Sequence, residues 1–125
     1  MTPALGAAQA DLDEVETIVR AAGTSFYRGM RVLPPDRRAA MYAIYAFCRV
    51  VDDIADAPGE LTDKLRELGA WRARIAELYA GQSDGPVTRV LAKAVPRFGL
   101  RREDFLATGY GQILRSSGFR CRLSR

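Results

Sequence analysis

The sequence predicts an all-α protein, and three observations carry that prediction. Apolar residues recur at three- and four-residue spacing through most of the chain. No stretch alternates as a strand does. Proline, glycine and acidic residues punctuate the periodic segments where helices would start and stop.

Taken in order, Asp11 and Glu14 have the spacing of a capping box ahead of a stripe of Leu12, Val15, Ile18 and Val19. Gly23 is expected to end that helix. A short helical turn then carries Ser25, Phe26, Met30 and Leu33 and closes on Pro34-Pro35. Asp36 is placed to cap the next helix, which runs to about Asp56 before Pro58-Gly59 stops it. Leu61, Leu65, Leu68, Ile75, Leu78 and Tyr79 form the inner face of an amphipathic helix ending near Gly81. Pro86 suits the first turn of another, with Val87, Val90, Leu91, Ala94 and Val95 facing inward. Glu103-Asp104 reads as the acidic first turn of a helix entered at Phe105-Leu106. From Ala107 to Arg125 the period disappears.

The 125 residues are 48% hydrophobic and 27% charged, as in one globular domain. Histidine is absent, which excludes Ser-His-Asp triads, Cys-His dyads and histidine-ligated zinc. Cys48 and Cys121 make no disulfide framework, and Cys48 is expected to be a small buried hydrophobe in a reducing compartment. The opening residues lack a signal peptide, and the longest apolar run, Ala39 to Cys48, is 10 residues. A cytoplasmic protein is expected. The formal charge is +4, yet Arg115, Arg120, Arg122 and Arg125 in the tail account for all of it. The body is therefore not expected to bind nucleic acid.

The chemistry concentrates between Ala39 and Asp56. Twelve of the 13 residues from Ala39 to Val51 are apolar or aromatic, Arg49 being the exception. A helix apolar around its circumference belongs inside a bundle. It nevertheless runs into Asp52-Asp53-Ile54-Ala55-Asp56. At ~100° per residue, Tyr45, Arg49, Asp52 and Asp56 share a stripe about 60° wide, with the two aspartates one turn apart. Like charges held so need a cation between them, and Mg²⁺ prefers carboxylate oxygens while keeping waters that phosphates replace. Arg49 could pair with Asp52 or hold a phosphate oxygen. Taken singly, an acidic helix end before Pro-Gly is equally an ordinary solvated terminus, and an apolar helix is more often plain core than a substrate wall. Together they favour a Mg²⁺–diphosphate site at the end of an apolar cavity.

The stretch GTSFYRGMRVLPPDRRAAMYAIYAFCRVVDDIAD, Gly23 to Asp56, resembles the opening of the squalene/phytoene synthases. The S-F-Y segment, the Leu-Pro turn, the aromatic A-I-Y-A-F-C-R helix and the aspartate-rich motif carry the resemblance. The wording, with AWRARIAELYAG (70–81) and RFGLRREDFLA (97–107), is most similar to presqualene diphosphate synthases of hopanoid pathways. The resemblance implies the N-terminal portion of an isoprenoid-synthase-type helical bundle over residues 1–106, with 107–125 a basic tail outside the family pattern. It implies that Asp52, Asp53 and Asp56 form the metal motif, with Asp53 off the stripe, and that Arg49 contacts diphosphate. It places Tyr45 against the reacting carbons, and Ser25 and Phe26 near the diphosphate and the hydrocarbon wall; Phe26 as ordinary packing competes with that role.

The implied reaction joins two farnesyl diphosphates head-to-head into presqualene diphosphate with Mg²⁺ and without NADPH. Peripheral association with a membrane fits such substrates, and no protein partner is deducible. The family carries a second aspartate-rich helix far downstream, and this chain has none. A truncated or frameshifted gene product, with little or no synthase activity by itself, is expected. The alternatives are a phytoene synthase or terpene cyclase fragment, or a non-catalytic helical module whose tail docks on a partner or anionic lipid.

Overall fold

The computed structural model describes residues 3–103 and residue 105. Among the described residues, five helices follow a short 3-10 turn at Ala4–Gly6: α1 (Gln9–Ala22), α2 (Thr24–Met30), α3 (Pro35–Asp56), α4 (Leu61–Tyr79) and α5 (Pro86–Phe98). No strand occurs among the described residues. The all-α class and the order of the helices are as the sequence predicts. The expectation for residues 107–125 falls outside the described residues.

Helices α1, α4 and α5 and the 3-10 turn pack against α3, which is the axis of the bundle. Val15 and Val19 of α1, Phe47 and Val51 of α3, Ile75 of α4, and Val90 and Leu91 of α5 meet in the core, each at most 2% exposed. Burying side chains of this size contributes roughly 1.5–3 kcal/mol apiece. Phe47 is the aromatic centre, edge-to-face with Trp71 of α4 at 5.8 Å and with Phe105 at 5.3 Å between ring centroids. Helix α5 is capped by Thr88, whose hydroxyl accepts the Gly85 N–H at 3.1 Å. It stops at Gly99, whose φ of 65° and ψ of 41° are left-handed, a conformation that glycine adopts without a Cβ penalty.

Two expected caps are not caps. Helix α1 starts two residues before Asp11, and the Asp11 carboxylate takes a two-pronged bond from Arg89 of α5, both contacts 2.8 Å. Asp36 lies in the first turn of α3, after Pro34 at the N-cap, and its oxygens accept the Leu5 N–H and the Arg97 guanidinium at 2.8 Å each. A carboxylate next to a free helix end and a guanidinium takes the stronger, charge-assisted partner. The inner face assigned to α4 also needs correction. Leu61 and Leu65 are 53% and 41% exposed. Lys64, in the same turn, donates instead to the Ala55 carbonyl at 2.9 Å, so the first turns of α4 pack through an ammonium.

The Arg89 fork holds the Asp11 carboxyl below its ordinary range, first through its hydrogen bonds, with burial opposing. A lowered folded pKa gives stability that is complete above the unfolded value and is lost as pH falls through the folded one. Asp11→Asn is expected to lower the unfolding free energy by roughly 1–3 kcal/mol above about pH 5. The gap to wild type should close on acidification toward pH 3 and below, read by urea denaturation at each pH. A constant gap across that range would show that the fork contributes nothing electrostatic.

Candidate functional site

Helix α3 spans 22 residues, about 33 Å, because Pro35 starts it and its interior from Ala39 to Val51 is apolar or aromatic apart from Arg49. It is not buried all round. Ala39, Ala40, Tyr42, Ala43, Ala46, Phe47, Val51 and Ala55 are buried, while Met41, Ile44, Tyr45, Cys48 and Asp52 are half-buried. At about 100° per residue the buried set is centred on the Ala43–Phe47 line, and the stripe of Tyr45, Arg49, Asp52 and Asp56 lies diametrically opposite. The full burial expected from composition is thus corrected: neighbours cover α3 on one side, and the other side is open among the described residues.

The stripe itself is formed as the spacing requires. Tyr45 packs at the margin of the core, Asp52 is half-buried, and Arg49 and Asp56 are exposed. The enclosed setting expected for the aspartates is not built by the described residues, since α3 presents them outward. Arg49 pairs with Asp53 at 3.6 Å, one turn along. That pair is well exposed on both sides and contributes little to stability. Ser25 lies exposed on α2, and Phe26 lies on the same short helix with its side chain outside the described set.

Three acids in the last turn of a long helix oppose its dipole, whose C-terminal end is negative. No basic residue occupies that turn. Each such carboxylate costs roughly 0.3–1 kcal/mol unless a cation offsets it. The local field is visible at Cys48, one turn before Asp52. Burial first, and then the Asp52 carboxylate, push the Cys48 thiol up to about 11. Cys48 is therefore protonated at neutral pH and unreactive, and it is half-buried rather than enclosed.

As a metal centre the arrangement is a partial shell. Asp52 and Asp56 offer hard oxygen donors from one face, the donor type that Mg²⁺ selects. Among the described residues no group of three or more acidic or cysteine side chains converges on one point. Water and phosphate oxygens, which Mg²⁺ retains readily, would have to supply the remainder.

The profile of the squalene/phytoene synthase family matches residues 19–114. The chain is 48% identical over 107 residues to a presqualene diphosphate synthase of Zymomonas mobilis, a match covering 85% of this chain and 36% of that protein. It is 49% identical over 87 residues to a presqualene diphosphate synthase of Sinorhizobium fredii, covering 70% of this chain and 31% of that one. Among solved structures it is similar to squalene synthase HpnC from Alicyclobacillus acidocaldarius, at a TM-score of 0.75 and 26% identity. That match covers 87% of this chain and 40% of the other. The chain thus spans about a third of the length of the curated relatives it matches.

Proposed function

Because the chain belongs to the squalene/phytoene synthase family, we propose that its residues serve the head-to-head condensation of two farnesyl diphosphates to presqualene diphosphate. In this reaction one substrate loses diphosphate, the allylic cation adds to a double bond of the other, and a proton leaves as the cyclopropane closes. No hydride is transferred, so no nicotinamide is required. The observation that carries the reading is the α3 stripe, in which an aromatic ring, a guanidinium and two carboxylates line the side of the helix that its own core leaves uncovered.

Each side chain then has a task. Asp52 and Asp56 would hold Mg²⁺, with Asp53 in the same motif and off the stripe. Once bound, the ion would supply positive charge where diphosphate leaves. Arg49, which has only an exposed partner in Asp53, can turn to a diphosphate oxygen at small cost. Tyr45 sets an aromatic face beside the reacting carbons, where a ring quadrupole favours cationic charge. Ser25 and Phe26 border the diphosphate and the hydrocarbon chain. A cytoplasmic enzyme that takes greasy substrates from a membrane surface fits this set. No helix of the described residues is long and apolar enough to cross a membrane.

A chimera tests the proposal. Residues 11–106 of this chain replace the matching segment of the Zymomonas mobilis protein, and the product is assayed with farnesyl diphosphate and Mg²⁺. Presqualene diphosphate is expected from the chimera, and none above background from the 125-residue chain alone, which offers a partial shell on an open face. A chimera that is folded by circular dichroism and makes no such product would sink the reading.

A further inference from the structure

The corner between α2 and α3 combines an exposed apolar side chain with a cluster of exposed arginines. Val32, at its tip, is 85% exposed, the most exposed of the large hydrophobic side chains among the described residues. Arg28, Arg31 and Arg37 flank it, all exposed, and the proline pair at 34 and 35 is exposed with them. Residues 20–38 hold five arginines and one acid. That acid, Asp36, is committed to the Leu5 N–H and Arg97. The nearby Glu16 accepts the Tyr27 hydroxyl at 2.7 Å.

Elsewhere, Arg49, Arg66, Arg74, Arg89, Arg97 and Arg101 each pair with a carboxylate. The corner is also held in shape. The Arg38 guanidinium donates to the Arg31 carbonyl at 3.0 Å, which ties the first turn of α3 to the end of α2. The Leu33 N–H is closed on the Met30 carbonyl at 3.1 Å, and Pro34 and Pro35 have no N–H to leave unpaired.

We propose that this corner is the protein's contact with an anionic lipid surface, Val32 entering the headgroup boundary and Arg28, Arg31 and Arg37 engaging lipid phosphates. A convex apolar point ringed by cations is the pattern of an interfacial anchor. An acidic polypeptide or nucleic acid would use the cations and gain nothing from the valine. The contact is weak by design of its size: each arginine near such a surface strengthens partition about fivefold, and salt screens it. Val32 lies at the opposite end of α3 from Asp52, about 25 Å along the helix, so lipid contact leaves the aspartates clear. The lipid contact needs nothing from the prenyl-transfer reading, and failure of either leaves the other standing.

The test uses the full chain with phosphatidylcholine vesicles, with and without about a third phosphatidylglycerol. Co-sedimentation with the anionic vesicles alone is expected. Combined Arg28→Ala, Arg31→Ala and Arg37→Ala should weaken it about 10²-fold. A Val32→Cys, Cys121→Ser chain labelled at neutral pH with an environment-sensitive fluorophore reports on the tip itself, since the Cys48 thiol, at about 11, competes poorly for the label. A blue shift on anionic vesicles is expected. Undiminished sedimentation of the folded triple variant would overturn the proposal. So would sedimentation without a blue shift, which places the attachment elsewhere, as in the basic tail. Binding of soluble polyglutamate in preference to vesicles would overturn it in favour of an acidic protein partner.

Discussion

Replacing Asp52 by alanine in the chimera is expected to lower presqualene diphosphate formation by about 10²–10³-fold, the scale of losing one preorganised electrostatic contact to a developing charge. Asp56→Ala should do the same, because the two carboxylates sit one turn apart on α3 and are proposed to serve one ion. The double variant should lose little more than either single one, as groups that act as a unit are non-additive. Asp53→Ala should cost far less, since Asp53 lies off the stripe and is already paired with Arg49. Initial rates over a Mg²⁺ titration check this. Excess metal should restore part of the single-variant loss. Equal losses at all three positions, or full activity in Asp52→Ala, would show that the stripe is not what holds the metal.

Phe47→Ala should destabilise the chain by roughly 3–5 kcal/mol, the range for truncating a buried aromatic residue. Phe47 is 2% exposed and packs edge-to-face on both Trp71 and Phe105, so its removal opens a cavity at the junction of α3, α4 and the segment after α5. Aromatic pairs of this geometry add about 0.5–1.5 kcal/mol beyond the area they bury. Against a total near 5–15 kcal/mol the variant would be largely or marginally unfolded at room temperature. Phe47→Leu keeps much of the volume and should cost clearly less than the alanine variant. Urea unfolding of the 125-residue chain measures both. A loss under about 1 kcal/mol for Phe47→Ala would mean that the core collapses freely around this position.

The helices and the candidate stripe were legible in the sequence because both are local. Apolar spacing fixes which face of α1 or α5 is inward, and Gly23, Pro58-Gly59 and Pro86 mark ends by backbone chemistry alone. Tyr45, Arg49, Asp52 and Asp56 share a face through helix geometry, whatever the rest of the molecule does.

What the tertiary structure alone decided is where those faces meet other faces. Asp11 and Asp36 look like caps by spacing, yet their partners, Arg89 and Arg97, lie 78 and 61 residues away, and a charged guanidinium outcompetes a local N–H. Leu61 and Leu65 fit the inner stripe of α4 and remain exposed, because the first turns of that helix meet α3 through Lys64. Composition made α3 look enclosed; packing covers it on one side and leaves the aspartate stripe outward. Periodicity states which residues share a side of a helix, and only long-range packing determines whether that side is covered.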